Sequence, residues 1–115
     1  MNKIGSLGED LAVKYLTKLG YKILERNKRF SKLCEIDIIA KDRNTIVFVE
    51  VKTRKNNSLG NPLEAITKNK LSNMKTGVFL YLQEKNLKMS FRMDAISIVL
   101  TPEIKINHLK NVGCF

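Results

Sequence analysis

The sequence predicts an α/β fold: a mixed, mostly antiparallel central sheet flanked by helices. Three observations predict it. Two segments, residues 5–20 and 63–85, carry apolar residues at helical spacing. Short runs rich in Ile and Val, bounded by polar or turn residues, read as strands. Their order is helix, three strands, helix, then one or two strands, which suits a sheet layered with helices. At 115 residues the chain is expected to form one domain, 1–115, with a modest core.

The first helix, residues 5–20, aligns Leu7, Leu11, Ala12, Tyr15, Leu16 and Leu19 on one face. Ser6 reads as its N-cap, Glu9 as the capping-box partner, and Gly20 as its stop. Glu9 also falls at the edge of the apolar face. Two readings of it stand: a capping glutamate, or an acid that reaches the edge of the sheet. Residues 21–30 read as a strand that turns strongly basic, with Ser31 and Lys32 extending it. Its charges fit either an edge strand protected from pairing or phosphate contact.

The central stretch is unusual. Residues 34–40 and 46–54 are strongly apolar strands, yet they carry Glu35, Asp37, Glu50 and Lys52. Charged side chains are seldom buried unless paired or bound to metal. Alternation puts Glu35, Asp37 and Ile39 on one face, and Ile46, Phe48, Glu50 and Lys52 on one face. A hairpin with Arg43 and Asn44 as central turn residues sets Asp42 opposite Thr45. Asp37 then faces Glu50, and Glu35 faces Lys52, with Cβ atoms about 5 Å apart. A loop one residue longer or shorter would send Asp37 and Glu50 to opposite faces.

Residues 55–62 are polar, with Gly and Pro, and read as a loop at the mouth of this cluster. The second helix, residues 63–85, has Leu63, Ile66, Leu71, Met74, Val78 and Leu82 at broadly helical spacing. Thr76 and Gly77 mark a kink or a close packing contact, and Asn86 reads as its end. Residues 91–100 form another strand, ended by Thr101 and Pro102. Its Asp94 reads as paired with Arg92 or with a partner at the strand end. Residues 104–109 add a short strand.

The net charge of +10 points to an anionic partner, nucleic acid before a membrane surface, or else to solubility. Acids concentrate in the central hairpin and the flanks are basic. Arg26, Lys28, Arg29, Lys32, Arg54, Lys55, Lys68 and Lys70 are the candidate nucleic-acid contacts. Cys34 and Cys114 make no disulfide framework, and no signal peptide opens the sequence, so the cytoplasm is the expected compartment. No apolar run approaches membrane-spanning length. No G-x-G-x-x-G follows a strand, and there is no Walker A sequence.

Asp37, Glu50 and, on the second reading, Glu9 offer hard oxygen ligands suited to Mg²⁺ or Mn²⁺ rather than Zn²⁺. Lys52, two residues from Glu50, can aim a water or steady charge developing on a phosphate. Glycosidic chemistry also uses paired carboxylates, but the basic balance and the adjacent lysine argue against it. A purely structural ion-paired network of Glu35, Asp37, Glu50 and Lys52 is the remaining alternative.

An Asp followed by Glu-x-Lys on the next strand, after a helix bearing a glutamate, resembles the PD-(D/E)xK nuclease superfamily. The chain is more closely similar to the YraN family, described as endonuclease-like and related to archaeal Holliday junction resolvases. The matching stretches are Leu7-Gly8-Glu9-Asp10-Leu11-Ala12, Gly20-Tyr21, Arg26-Asn27, Glu35-Ile36-Asp37-Ile38-Ile39-Ala40, Phe48-Val49-Glu50-Val51-Lys52-Thr53-Arg54, Gly60-Asn61-Pro62-Leu63-Glu64-Ala65-Ile66 and Arg92-Met93-Asp94. The resemblance implies a restriction-endonuclease-like core. It implies metal ligation by Glu9, Asp37 and Glu50, with Asp37, Glu50 and Lys52 as the catalytic set. Glu35 matches the pattern without an assigned role. Cys34 stands where the family usually has glycine. The function implied is a divalent-metal-dependent endonuclease acting on nucleic acid, most readily DNA and in particular branched DNA. The alternative is a nuclease fold that binds nucleic acid without cutting. Related resolvases act as dimers, which implies a homodimer.

Overall fold

The sheet is built in chain order. In the computed structural model, which describes residues 3–32, 34–56, 58 and 67–113, helix α1 (Lys3–Lys18) leads into strands β1 (Lys22–Ser31), β2 (Cys34–Asp42) and β3 (Thr45–Arg54). Helix α2 (Lys68–Glu84), β4 (Ser90–Val99) and β5 (Lys105–Leu109) follow. The spatial order is β1-β2-β3-β4-β5. β1–β2, β2–β3 and β4–β5 are antiparallel, and β3–β4 is parallel. A parallel pair needs a crossover, and α2 lies within it. The sheet is thus mixed and mostly antiparallel, as the sequence predicts, and its architecture is consistent with an endonuclease-like core.

Each face of the sheet carries one helix. Ala12 and Leu16 of α1 pack with Ile38, Ala40, Val47, Val49, Val51, Ile96 and Ile98. Met74, Val78 and Tyr81 of α2 pack with Ile36, Ile39, Ile46, Phe48 and Met93. The alternation Val47, Val49, Val51 against Ile46, Phe48 gives β3 two apolar faces, which a strand between two helical layers requires. Burying each such side chain stabilises the fold by about 1.5–3 kcal/mol before entropy is counted.

Two glycines let the helices approach. A Cβ on Gly8 would run into the Thr53 side chain. A Cβ on Gly77 would lie 2.6 Å from the Cys34 sulfur and 3.0 Å from the Phe30 ring. Gly77 therefore marks a close packing contact, and it is what accommodates Cys34, which is buried and unbridged. Cys114 lies outside the described residues.

Both helices stop as their sequences suggest. Gly20 has φ 95, Tyr21 N–H bonds Leu16 C=O, and Gly20 N–H bonds Thr17 C=O, a Schellman closure. Asn86, at φ 52, closes α2 in the same way through Leu87 to Leu82 and Asn86 to Gln83.

The starts differ from expectation. α1 begins at Lys3, so Ser6 lies inside the helix and is not its N-cap. The capping-box role of Glu9 falls with it. The expected start of α2 at Leu63, and most of the loop before it, lie outside the described residues. Within them Thr67 is the cap, its hydroxyl accepting from Lys70 N–H at 3.2 Å. Among the described residues no helix is long and apolar enough to cross a membrane.

Candidate active site

The hairpin register is the one that the Arg43-Asn44 turn requires. Asp42 pairs with Thr45, and the ladder runs to Ile38–Val49. Arg43 has φ 56, the positive value a two-residue hairpin loop needs at its first central position. Beyond Ile38–Val49 the pairing ends. The Val51 N–H donates to the Asp37 carboxylate, Oδ2, at 2.8 Å. Asp37–Glu50 and Glu35–Lys52 are therefore not ladder pairs, and the strands open where the acids begin.

Strict alternation on β2 also fails there. Ile36 and Ile39 both pack in the core on the α2 side, while Ile38 and Ala40 pack on the α1 side. The break falls across Asp37. On β1, Asn27 sits between the pairs Arg26–Ile38 and Lys28–Ile36, and takes φ 51. Glu35, Asp37 and Ile39 thus do not simply share a face, because the two strands leave regular geometry at the same level.

The opening forms a cavity of about 230 Å³ lined by Arg29, Lys32, Glu35, Asp37, Glu50, Lys70, Asn73 and Met74. Glu50 is buried, 4% exposed, and Asp37 is part-buried. Burial first, then the neighbouring Glu50 charge, push the Asp37 carboxyl up to about 7, against the pull of the Val51 N–H. Two carboxylates in one poorly solvated cleft cannot both ionise freely.

Two lysines answer the Glu50 charge. Lys70 Nζ lies 2.7 Å from Glu50 Oε1, and Lys52 Nζ lies 3.8 Å from the same oxygen. Burial opposes the charge on Lys70, but its bond to Glu50 outweighs that and its pKa rises. Burial and the adjacent Lys70 lower the pKa of Lys52.

Glu9 stands one step away. It lines an adjoining cavity of about 630 Å³ with Gly5, Ser6, Arg26, Asn27, Arg29 and Glu35. Burial raises its pKa against a hydrogen bond from Asn27 and the charge of Arg26, 3.8 Å away. Its charge reaches Asp37 and contributes to the raised pKa there. Arg29 and Glu35, paired at 2.9 Å, line both cavities.

The sequence comparisons agree on one family. The model of the uncharacterised protein family UPF0102 matches residues 8–98. A UPF0102 protein of Caldicellulosiruptor saccharolyticus is 44% identical over 117 residues, covering 96% of this chain and 98% of its own length. One from Clostridium botulinum strain Hall is 52% identical over 99 residues, 84% of this chain and 80% of its own. One from Syntrophomonas wolfei is 42% identical over 114 residues, 96% of this chain and 98% of its own. The chain belongs to the UPF0102 family.

In this UPF0102 protein, Asp37, Glu50 and Glu35 share a cavity, with Lys52 reaching Glu50 from β3. Among the described residues no three acids, histidines or cysteines form a ready metal cluster. The oxygen donors still fit Mg²⁺ or Mn²⁺, which bind through one or two carboxylates and keep several waters. Asp37 and Glu50 meet that requirement.

The basic residues divide. Arg29, Lys32 and Lys70 line the acid cavity. Arg26 pairs with Asp10 at 2.8 Å beside Glu9, and Lys28 pairs with Glu84 and Glu25. Arg54 is part-buried, whereas Lys55 and Lys68 are exposed. The contact sequence reasoning missed is Lys70 on Glu50. Its position in the first turn of the crossover helix, just past a polar loop, was the available signal.

Asp94 is the other acid in a core strand. It accepts from Arg92 Nε at 3.0 Å and Asn111 N–H at 3.0 Å, and pairs with His108 Nε2 at 2.7 Å. Arg92 continues to Tyr21, and His108 to Tyr15. The hydrogen bonds from His108, Asn111 and Arg92 overcome burial, so its pKa falls. The Arg92 pairing matches the sequence reading, and His108 is an added partner.

Proposed function

We propose that this protein is a divalent-metal-dependent nuclease that hydrolyses phosphodiester bonds in nucleic acid, with DNA as the first candidate substrate and branched DNA as the form to test first. One observation carries the reading. Two carboxylates crowd one cleft, with Asp37 pushed up to about 7, and cationic side chains line its walls. A strained set of this kind in a cavity is a functional signature.

Asp37 and Glu50 are the residues that would hold Mg²⁺ or Mn²⁺. When bound, such an ion acidifies a water and polarises a phosphate oxygen. Lys52, beside Glu50, is suited to orient the attacking water and to steady the charge that develops on the phosphate. Arg29 and Lys32 attract the phosphate backbone. Glu9, in the adjoining cavity, adds negative potential behind Asp37. A homodimer acting in the cytoplasm completes the proposal.

The test is cleavage of labelled four-way junction, duplex and single-stranded DNA with Mg²⁺ or Mn²⁺. Glu50→Ala and Lys52→Ala are each expected to lower the rate by about 10²–10³-fold. Binding without cleavage on every substrate would favour a non-catalytic module. Variants that cut as well as wild type would discard the site.

A further inference from the structure

We propose that Lys70 is a displaceable counter-ion: its ammonium holds Glu50 while no divalent cation is bound, and leaves Glu50 for the substrate phosphate when the cation arrives. This rests on the reading of the cleft as a divalent-cation site. The geometry is specific. Lys70 Nζ is 2.7 Å from Glu50 Oε1, a direct charge-assisted bond, whereas Lys52 is 3.8 Å from the same atom. Glu50 is 95% shielded from solvent at its side chain, so it needs a cation partner at all times.

Two ammonium groups and a divalent ion gathered on one carboxylate repel one another strongly, whichever of its oxygens the ion takes. One lysine must leave. Lys52 is the more enclosed of the two, with 29% of its side chain exposed and its backbone fixed in β3. Lys70 is 39% exposed and rises from the first turn of α2, where the Thr67 cap anchors only its backbone N–H. Its flexible stem can swing to the mouth of the cavity. Arg29 and Lys32 line that cavity, so the freed ammonium joins a cationic rim suited to a phosphodiester.

The test is calorimetric titration with Mn²⁺ in the absence of DNA, on wild type, Lys70→Met and Lys70→Arg. Lys70→Met removes the competing cation at similar volume and is expected to bind Mn²⁺ about tenfold more tightly, the worth of a hydrogen bond to a charged group. Lys70→Arg is expected to stay near wild type. With Mn²⁺ present and cleavage blocked by non-hydrolysable phosphorothioate-linked DNA, Lys70→Met is expected to weaken DNA binding and shallow its salt dependence by about one phosphate contact. Equal or weaker Mn²⁺ binding by Lys70→Met, with wild type binding measurably, overturns this proposal and leaves the nuclease reading standing. No Mn²⁺ binding by any of the three proteins overturns both.

Discussion

Two acids lie in core strands on the same sheet, and they are treated in opposite ways. Asp94 on β4 is fully buried and satisfied by an arginine, a histidine and a backbone N–H. Asp37 on β2 receives one backbone N–H and faces a second carboxylate. The pKa of Asp94 falls and that of Asp37 rises to about 7. The difference teaches that burial alone does not mark a site. A buried acid whose partners complete it holds the fold together. A part-buried acid left against its own kind, in the lining of a cavity, is a candidate for binding rather than a completed support.

The largest expected effect lies on the satisfied side. Asp94→Ala removes the acceptor shared by Arg92 Nε, His108 and the Asn111 N–H and should cost about 3 kcal/mol or more of stability. Urea unfolding measures it, with Asp94→Asn as the milder variant if alanine does not fold. A loss below about 1 kcal/mol would remove the contrast. The pH dependence has a defined sign. Asp94 has a lowered folded pKa, so its contribution is present above the ordinary carboxylate range and is lost as pH falls through the folded value.

Asp37 should behave the other way. Its folded pKa lies above its unfolded one, so the folded state takes up a proton between about pH 4 and about 7. Without divalent ions, stability should fall as pH rises through that window. Asp37→Asn keeps the shape and an acceptor for Val51 N–H but cannot ionise. At pH 8 it should be more stable than wild type by about 1–2 kcal/mol, with a flatter pH profile, while losing Mn²⁺ affinity. A destabilised Asp37→Asn would mean that its carboxylate is as well satisfied as that of Asp94.

The smallest effect is expected between these extremes. Glu35 pairs with Arg29 at a solvent-exposed position. Glu35→Gln should change stability by less than about 1 kcal/mol in thermal unfolding. A larger loss would move Glu35 to the structural side of the comparison.

Much of this was legible in the chain. The Ile and Val runs with their turn residues determined the strands, Gly20 and Asn86 determined both helix ends, and the Arg43-Asn44 turn determined the hairpin register. These are local effects, set by backbone sterics and side-chain period, so neighbours in sequence suffice to read them. Charge inside apolar strands also marked Asp37, Glu50 and Asp94 as needing partners. The sequence could not say which partners. The ladder ends one pair short of Asp37, whose carboxylate takes the Val51 N–H, and alternation breaks there, which no period-2 count anticipates. Lys70 meets Glu50 only because the crossover brings α2 back over the sheet, and His108 meets Asp94 only because β5 pairs with β4. Whether a buried charge is completed or left open depends on groups distant in sequence, so tertiary structure alone decided that Asp94 is a strut and Asp37 a candidate ligand.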